Sequence, residues 1–236
     1  MLGRQGRVGG PRDEGAPPEL AEVLARDALG TAASRYETEH LDRLIVSTDD
    51  EEIAQAAEAA GAEVPFLRPA SLADDDTPTL PVVQHALGAL ASAGDHYDAV
   101  CLLQPTSPFR RVGLIDRCID ALDDRGDLDS VMTIKPMPPE HHPAWAYLRS
   151  ADGTMQLAVG GIEPVARRQE LPPAFCRDGS VYVSTARAID GGSLYGTSVL
   201  GVEVDPAWVV NLDGEADWVV AEALVADVLA QRTADR

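Results

Sequence analysis

An alternation along the chain restricts its fold more than any other feature. Short runs rich in β-branched or apolar residues recur: Leu44-Ile45-Val46, Ala99-Val100-Cys101-Leu102-Leu103, Ser130-Val131-Met132-Thr133-Ile134, SVYVST from Ser180, and Leu200-Gly201-Val202-Glu203-Val204. Longer segments with apolar residues at helical spacing lie between or beside them: ELAEVLARDALGTAAS (19–34), DEEIAQAAEAAG, TLPVVQHALGALASAG, VGLIDRCIDALDD and a long C-terminal stretch over 214–232. A brief strand is expected at Ala62–Phe66. Asp49 or Asp50 is the natural N-cap of the second helix, with Gly61 at its end. Strands alternating with helices predict βαβ units and a mostly parallel sheet covered on both faces: an α/β protein.

With 236 residues, 45% of them hydrophobic, the chain has enough material for one sizeable core. The organisation expected is a single domain over 1–236 carrying a small subdomain at 136–180, where the sequence turns Pro-rich and irregular. No stretch approaches the roughly 18 continuous apolar residues of a membrane span. MLGRQGRVGG has no apolar segment of the signal-peptide type, so the expected location is the cytoplasm. The formal charge of −20 argues against nucleic-acid or anionic-membrane partners, which need a basic face. Cys101, Cys118 and Cys176 are scattered with no CxxC pair, so neither a disulfide framework nor a zinc site is expected.

In a sheet of this kind, ligands sit beyond the carboxyl ends of the strands. Three polar stretches fall there: Ser47-Thr48-Asp49-Asp50, Gln104 to Arg110, and Asn211-Leu212-Asp213. The second, in LLQPTSPFR, brackets two hydroxyls between Pro105 and Pro108. Proline fixes φ, which stiffens a loop and holds its hydrogen-bonding groups in place.

LLQPTSPFR, taken with IVSTDDEEIA, FLRPASLADD, HHPAW, RRQELPPAFCRDGSVYV and NLDGEADW, resembles the CMP-sialic acid synthetase (acylneuraminate cytidylyltransferase) family. The resemblance implies a three-layer Rossmann-like nucleotidyltransferase fold with a small dimerisation insertion, and hence a homodimer. It implies CMP transfer from CTP to the anomeric hydroxyl of a nonulosonic sugar acid, with Mg²⁺ assisting and pyrophosphate released. Carried onto this chain, Arg68 would contact the cytosine, and Thr77 and Thr79 would sit near ribose or base. Gln104 would bind the sugar acid, with Thr106, Ser107 and Arg110 shaping its loop. Arg168 would reach across a dimer interface to the substrate, a structural pair with Glu170 being the competing reading. Tyr182 would line the pocket, and Asp178 stands where the family has Asn.

Asp213 is the metal candidate the resemblance implies. Asn211 replaces the first acid of the family's Asp-x-Asp, and an i, i+2 pair on a strand would share a face. The alternative for Asp213 is an N-cap of the helix that follows. At the N-terminus, Arg4, the glycines and Pro11 fit the family's phosphate loop, but Val8, Asp13 and Glu14 stand where it has two lysines and an asparagine. Only Met1 and Leu2 precede that loop, so either the true start lies upstream or the chain is a degenerate paralogue. Three functions therefore stay open: a nonulosonate cytidylyltransferase, a relative activating an octulosonate or phosphonate, and a binding protein without turnover.

Overall fold

The computed structural model describes residues 40–234 except Asp75; the helix expected over 19–34 and the loop containing Arg4 lie outside the described residues. In chain order come α1 (Glu51–Ala59), α2 (Thr79–Ser92), β1 (Ala99–Leu102), α3 (Leu114–Asp123), β2 (Ser130–Pro136), β3 (Tyr147–Arg149), β4 (Met155–Leu157), β5 (Phe175–Thr185), α4 (Ala186–Asp190), β6 (Val199–Glu203) and α5 (Glu215–Ala234). Asp50 is the residue that caps α1: its Oδ1 accepts from the backbone N–H of Glu52 at 2.8 Å and of Ile53 at 3.2 Å. Pro81 falls in the first turn of α2, where an N–H has no intrahelical partner to lose.

The main sheet has the order β1-β5-β2-β6. β6 runs parallel to β2, whereas β5 runs antiparallel to both β1 and β2. β1, β2 and β6 therefore point the same way, and β5 is a reversed strand inserted among them. The strand expected at Ala62–Phe66 is instead two isolated parallel bridges, Ile45 to Glu63 and Thr48 to Leu67. Pro65 lies between them and has no N–H to continue a ladder.

Side chains alternate across the sheet with period two. Val131, Val181 and Val183 face one layer, packing with Ala57 of α1 and with Leu114, Ile115, Cys118 and Leu122 of α3. Leu102 and Tyr182 face the other, against Val82, Val83, Ala86 and Leu90 of α2 and Ile189 of α4. This makes three layers. Burial pushes the Cys118 thiol up to about 12, as expected of an inert core cysteine. A third cluster joins Phe109, Trp208, Val210 and Leu212 to Ala221 of α5, and so clamps the segment before α5 beside the loop that leaves β1.

Candidate active site

The reversed strand builds the site. Because β5 enters from the carboxyl ends of β1 and β2, its first half passes the point where β1 hands over to Gln104. The register with β2 slips between Tyr182, opposite Met132, and Arg177, opposite Ile134. The extra β5 residues form a bulge, pinned where Val181 N–H donates to Thr133 Oγ1 at 3.0 Å. Gly179 sits in it with φ +92°. A Cβ at Gly179 would lie 2.7 Å from Ser107 Oγ, 3.2 Å from Gln104 Oε1 and 3.3 Å from Asn211 Oδ1. Three polar side chains thus converge on a backbone with no side chain of its own.

Gln104 to Ser107 is a turn, closed by Ser107 N–H donating to Gln104 O at 3.1 Å. Beneath it the buried Arg110 donates Nε to Ser180 O at 2.7 Å and Nη2 to Gln104 O at 2.8 Å, tying the turn to β5. The third wall is tied on by Leu212 N–H donating to Thr106 O at 2.8 Å. Asn211-Leu212-Asp213 is not the strand pair expected: Asp213 N–H closes onto Asn211 O at 3.1 Å, a tight turn. The two side chains still meet, Asn211 Nδ2 donating to Asp213 Oδ2 at 3.2 Å, while Ser107 Oγ donates to Asn211 Oδ1 at 2.9 Å. Asp213 does not cap α5 either. Asp217 reaches back, accepting from Asp213 N–H at 3.0 Å and Gly214 N–H at 2.8 Å.

These walls enclose a cavity of about 270 Å³ lined by Thr79, Leu102, Gln104, Thr106, Arg177, Asp178, Gly179, Tyr182, Leu194, Tyr195, Asn211 and Asp213. Thr79, Gln104, Thr106, Asp178, Tyr182, Asn211 and Asp213 were all expected from the sequence, and the fold brings them together. Asp178 is buried, with its two oxygens accepting from Ser180 N–H at 3.3 Å and Ser180 Oγ at 2.5 Å. Burial pushes the Tyr182 phenol up to about 12, so it stays a neutral donor.

Other expected residues lie apart from this cavity. Ser107 is buried behind Asn211. Thr77 sits in a turn, its N–H donating to Asp74 O at 3.0 Å. Arg168 is exposed, and Glu170 pairs with Arg167 at 3.4 Å, not with Arg168, which corrects the competing reading of that position. Arg68 is buried, with Asp49 Oδ1 at 3.5 Å, and its Nε and Nη2 have no hydrogen-bond partner among the described residues. A buried guanidinium in that state is costly unless a ligand completes it.

As donors, Asp213 and Asn211 offer a carboxylate and an amide oxygen, the hard oxygen ligands that suit Mg²⁺. A hydroxyl both donates and accepts, so Ser107 can satisfy either end of the Asn211 amide and leave its oxygen available. Among the described residues there is no cluster of three or more His, Cys, Asp or Glu suited to a metal. Mg²⁺ commonly takes only one or two carboxylates and fills the remaining positions with waters and substrate phosphates.

Three layers, mostly co-directional strands and a polar cavity beyond their carboxyl ends make a Rossmann-like α/β fold. The solved CMP:2-keto-3-deoxy-manno-octonic acid synthetase complexed with CTP has this fold, with a TM-score of 0.60 at 14% identity over 98% of this chain and 97% of that one. So does 4-diphosphocytidyl-2C-methyl-D-erythritol synthase from Anaerococcus prevotii, with a TM-score of 0.56 at 14% identity over 86% of this chain and 85% of that one. The chain belongs to the cytidylyltransferase family, whose model matches residues 33–186. It is 28% identical over 219 residues to the CMP-N,N'-diacetyllegionaminic acid synthase of Legionella pneumophila, covering 89% of this chain and 90% of that one. It is 26% identical over 216 residues to the N-acylneuraminate cytidylyltransferase of Oncorhynchus mykiss, covering 90% of this chain and 48% of that one. Among the described residues no helix is long and apolar enough to cross a membrane.

Sequence reasoning passed over Gly179 as a site residue, and it missed Arg177 and Tyr195. The signal for Arg177 was its place in Arg177-Asp178-Gly179, next to the bulge glycine. Tyr195 carried no signal, because it reaches the cavity only through the long-range folding of the 191–198 loop.

Proposed function

We propose that this chain transfers the cytidylyl group of CTP to the anomeric hydroxyl of a nonulosonic sugar acid. The sugar hydroxyl oxygen attacks the α-phosphorus and gives up its proton to solvent water, a new O–P bond forms, the bond from the α-phosphorus to the oxygen bridging it to the β-phosphate breaks, and pyrophosphate leaves. The observation that carries this reading is the convergence of Gln104, Thr106, Tyr182, Asn211 and Asp213 on one cavity around Gly179. The names of the full-length Legionella relative and of the other matched relatives support the same substrate class.

In this reading Gln104 and Thr106 hydrogen-bond the sugar, and the neutral Tyr182 phenol donates to it. The half-satisfied Arg68 completes its hydrogen bonds on the cytosine, with Thr77 and Thr79 near the ribose. Arg4 serves the phosphates. Asp213 and Asn211 would hold Mg²⁺, which when bound neutralises phosphate charge. Catalysis is then mainly positioning and charge neutralisation. The reaction belongs in the cytoplasm, where CTP is made. We also assign a homodimer formed through the segment between β2 and β5. There Tyr147, Leu148, Met155, Val159 and Ile162 are exposed, and Arg168 would reach the partner's substrate.

A pyrophosphate-release assay tests the proposal, using CTP, Mg²⁺ and a panel of sialic, legionaminic, pseudaminic and 2-keto-3-deoxy-octonic acids at low and molar KCl. Release with a nonulosonic acid is expected. Release with the octonic acid alone would move the chain to the second substrate class. No release with any acid would leave a binding protein without turnover.

A further inference from the structure

Among the described residues, Arg177 is the one arginine lining the cavity. Its Nη1 donates to the Tyr195 hydroxyl at 2.7 Å, and it makes no ion pair with any described residue. Its side chain is solvent-exposed and so open to an incoming anion, in a chain whose 39 acidic residues outnumber its 19 basic ones. The two carboxylates in the same cavity are engaged elsewhere: Asp178 accepts from Ser180 and Asp213 from Asn211. A guanidinium carries five N–H donors in a planar fork. With one given to the Tyr195 hydroxyl oxygen, the rest can take a planar anion through two parallel hydrogen bonds.

The phenol that holds Arg177 is itself fixed. Ser130 Oγ donates to Tyr195 O at 2.7 Å, and Tyr195 N–H donates to Ser193 Oγ at 3.1 Å. The Tyr195 ring meets the Tyr182 ring edge-on, with centroids 6.0 Å apart. Arg177 is therefore placed before any ligand arrives.

We propose that Arg177 binds the substrate's carboxylate and so selects for sugar acids, an inference that rests on the reading of the cavity as the sugar site. A carboxylate fits better than a phosphate chain. The planar fork of one guanidinium matches one planar carboxylate, and a sugar acid held that way leaves its hydroxyls to Gln104, Thr106 and Tyr182.

The test is steady-state kinetics of Arg177→Met and Arg177→Lys beside the wild type. The KM for the sugar acid is expected to rise about 10- to 100-fold in Arg177→Met, the range of a charge-assisted pair. It should recover partly in Arg177→Lys, and the KM for CTP should stay unchanged. A sugar whose carboxylate is replaced by a carboxamide separates recognition from mere structure. It should be a much poorer substrate than the acid for the wild type and about equal to the acid for Arg177→Met. An unchanged sugar KM in Arg177→Met, a rise confined to CTP, or an equal carboxamide penalty in both proteins would overturn the proposal while leaving the site reading intact. Failure of the wild type to release pyrophosphate with any acid would overturn the site reading and the proposal with it.

Discussion

Gly179 and Arg68 show opposite sides of site design at single residues. At Gly179 the site is built around an absence. A methyl group there would meet Ser107 Oγ at 2.7 Å on a backbone already at φ +92°, where L residues are strained. Gly179→Ala should cost about 1–3 kcal/mol. It should also push Ser107 and Gln104 out of place. The expected result is a lower melting temperature together with a raised sugar KM; an unchanged KM would show that the turn absorbs the methyl group without moving Gln104. At Arg68 the site carries a partly compensated cost. Its guanidinium is buried, and among the described residues Nε and Nη2 make no hydrogen bond and the only ion pair is the 3.5 Å contact with Asp49. Arg68→Met therefore trades relief of desolvation for loss of that pair and should move the melting temperature little. The same substitution should raise the KM for CTP about 10-fold or more, the loss expected of hydrogen bonds from a charged donor. A drop in melting temperature with unchanged CTP affinity would make Arg68 a structural residue instead.

At the scale of elements, the loop between α4 and β6 connects stability to the cavity, because it carries Leu194 and Tyr195. Asp129, just ahead of β2, holds it: its Oδ2 accepts from Thr197 N–H at 2.8 Å, Thr197 Oγ1 at 3.0 Å and Ser198 N–H at 3.2 Å. Arg187 of α4 donates to its Oδ1 at 2.7 Å. The backbone donor of Thr197, followed by its hydroxyl and Ser198, holds the Asp129 carboxyl down at about 2. The unfolded value is about 3.9. The stabilisation is therefore complete above pH ~4 and is lost as pH falls through the folded value. Asp129→Asn should melt below the wild type at neutral pH, and the gap should close between pH ~4 and ~2. A gap that stays constant over that window would mean the carboxylate charge contributes nothing.

Most elements of this kind were legible in the sequence, because helices and buried strands leave periodic patterns: α1, α2, α3, β1, β2 and β6 lie where the periodicity put them. The direction of β5 was not legible, since a strand reads the same whether its neighbours run with it or against it. Nor was the bulge, which depends on register with β2. The turn at Asn211-Leu212-Asp213 defeated a spacing argument because side chains two apart meet in a tight turn as well as on a strand. Most cavity residues that local motifs carried were found; Arg177, whose signal lay in Arg177-Asp178-Gly179, was passed over, and Tyr195, set by long-range folding, left no local trace.

For the whole molecule the decisive quantity is charge. A net charge of −20, with Lys135 the only lysine, leaves a surplus of acids that exposed ion pairs such as Arg43 with Glu63 and Asp95 cannot offset. Repulsion among these acids acts across the surface, and salt shortens its reach from ~10 Å at 0.1 M to ~3 Å at 1 M. The melting temperature should therefore rise between low and molar KCl. Screening saturates as the Debye length shrinks, so most of the rise should come in the lower part of that range; a flat or falling curve would show that repulsion among surface acids does not limit stability. The same field acts on the substrates of the proposed reaction, since CTP and a sugar acid are both anions approaching an acidic protein. Screening should raise kcat/KM with ionic strength, the reverse of enzymes that steer anions with a basic rim. Arg177 sharpens this last expectation. Its attraction for a carboxylate is a short-range contact, whereas the repulsion from the acidic surface is long-ranged and is the part that salt screens most. The KM for the sugar acid should fall as KCl rises, and by the same factor in Arg177→Met. A salt response that disappears in the variant would instead place the dominant electrostatics inside the cavity.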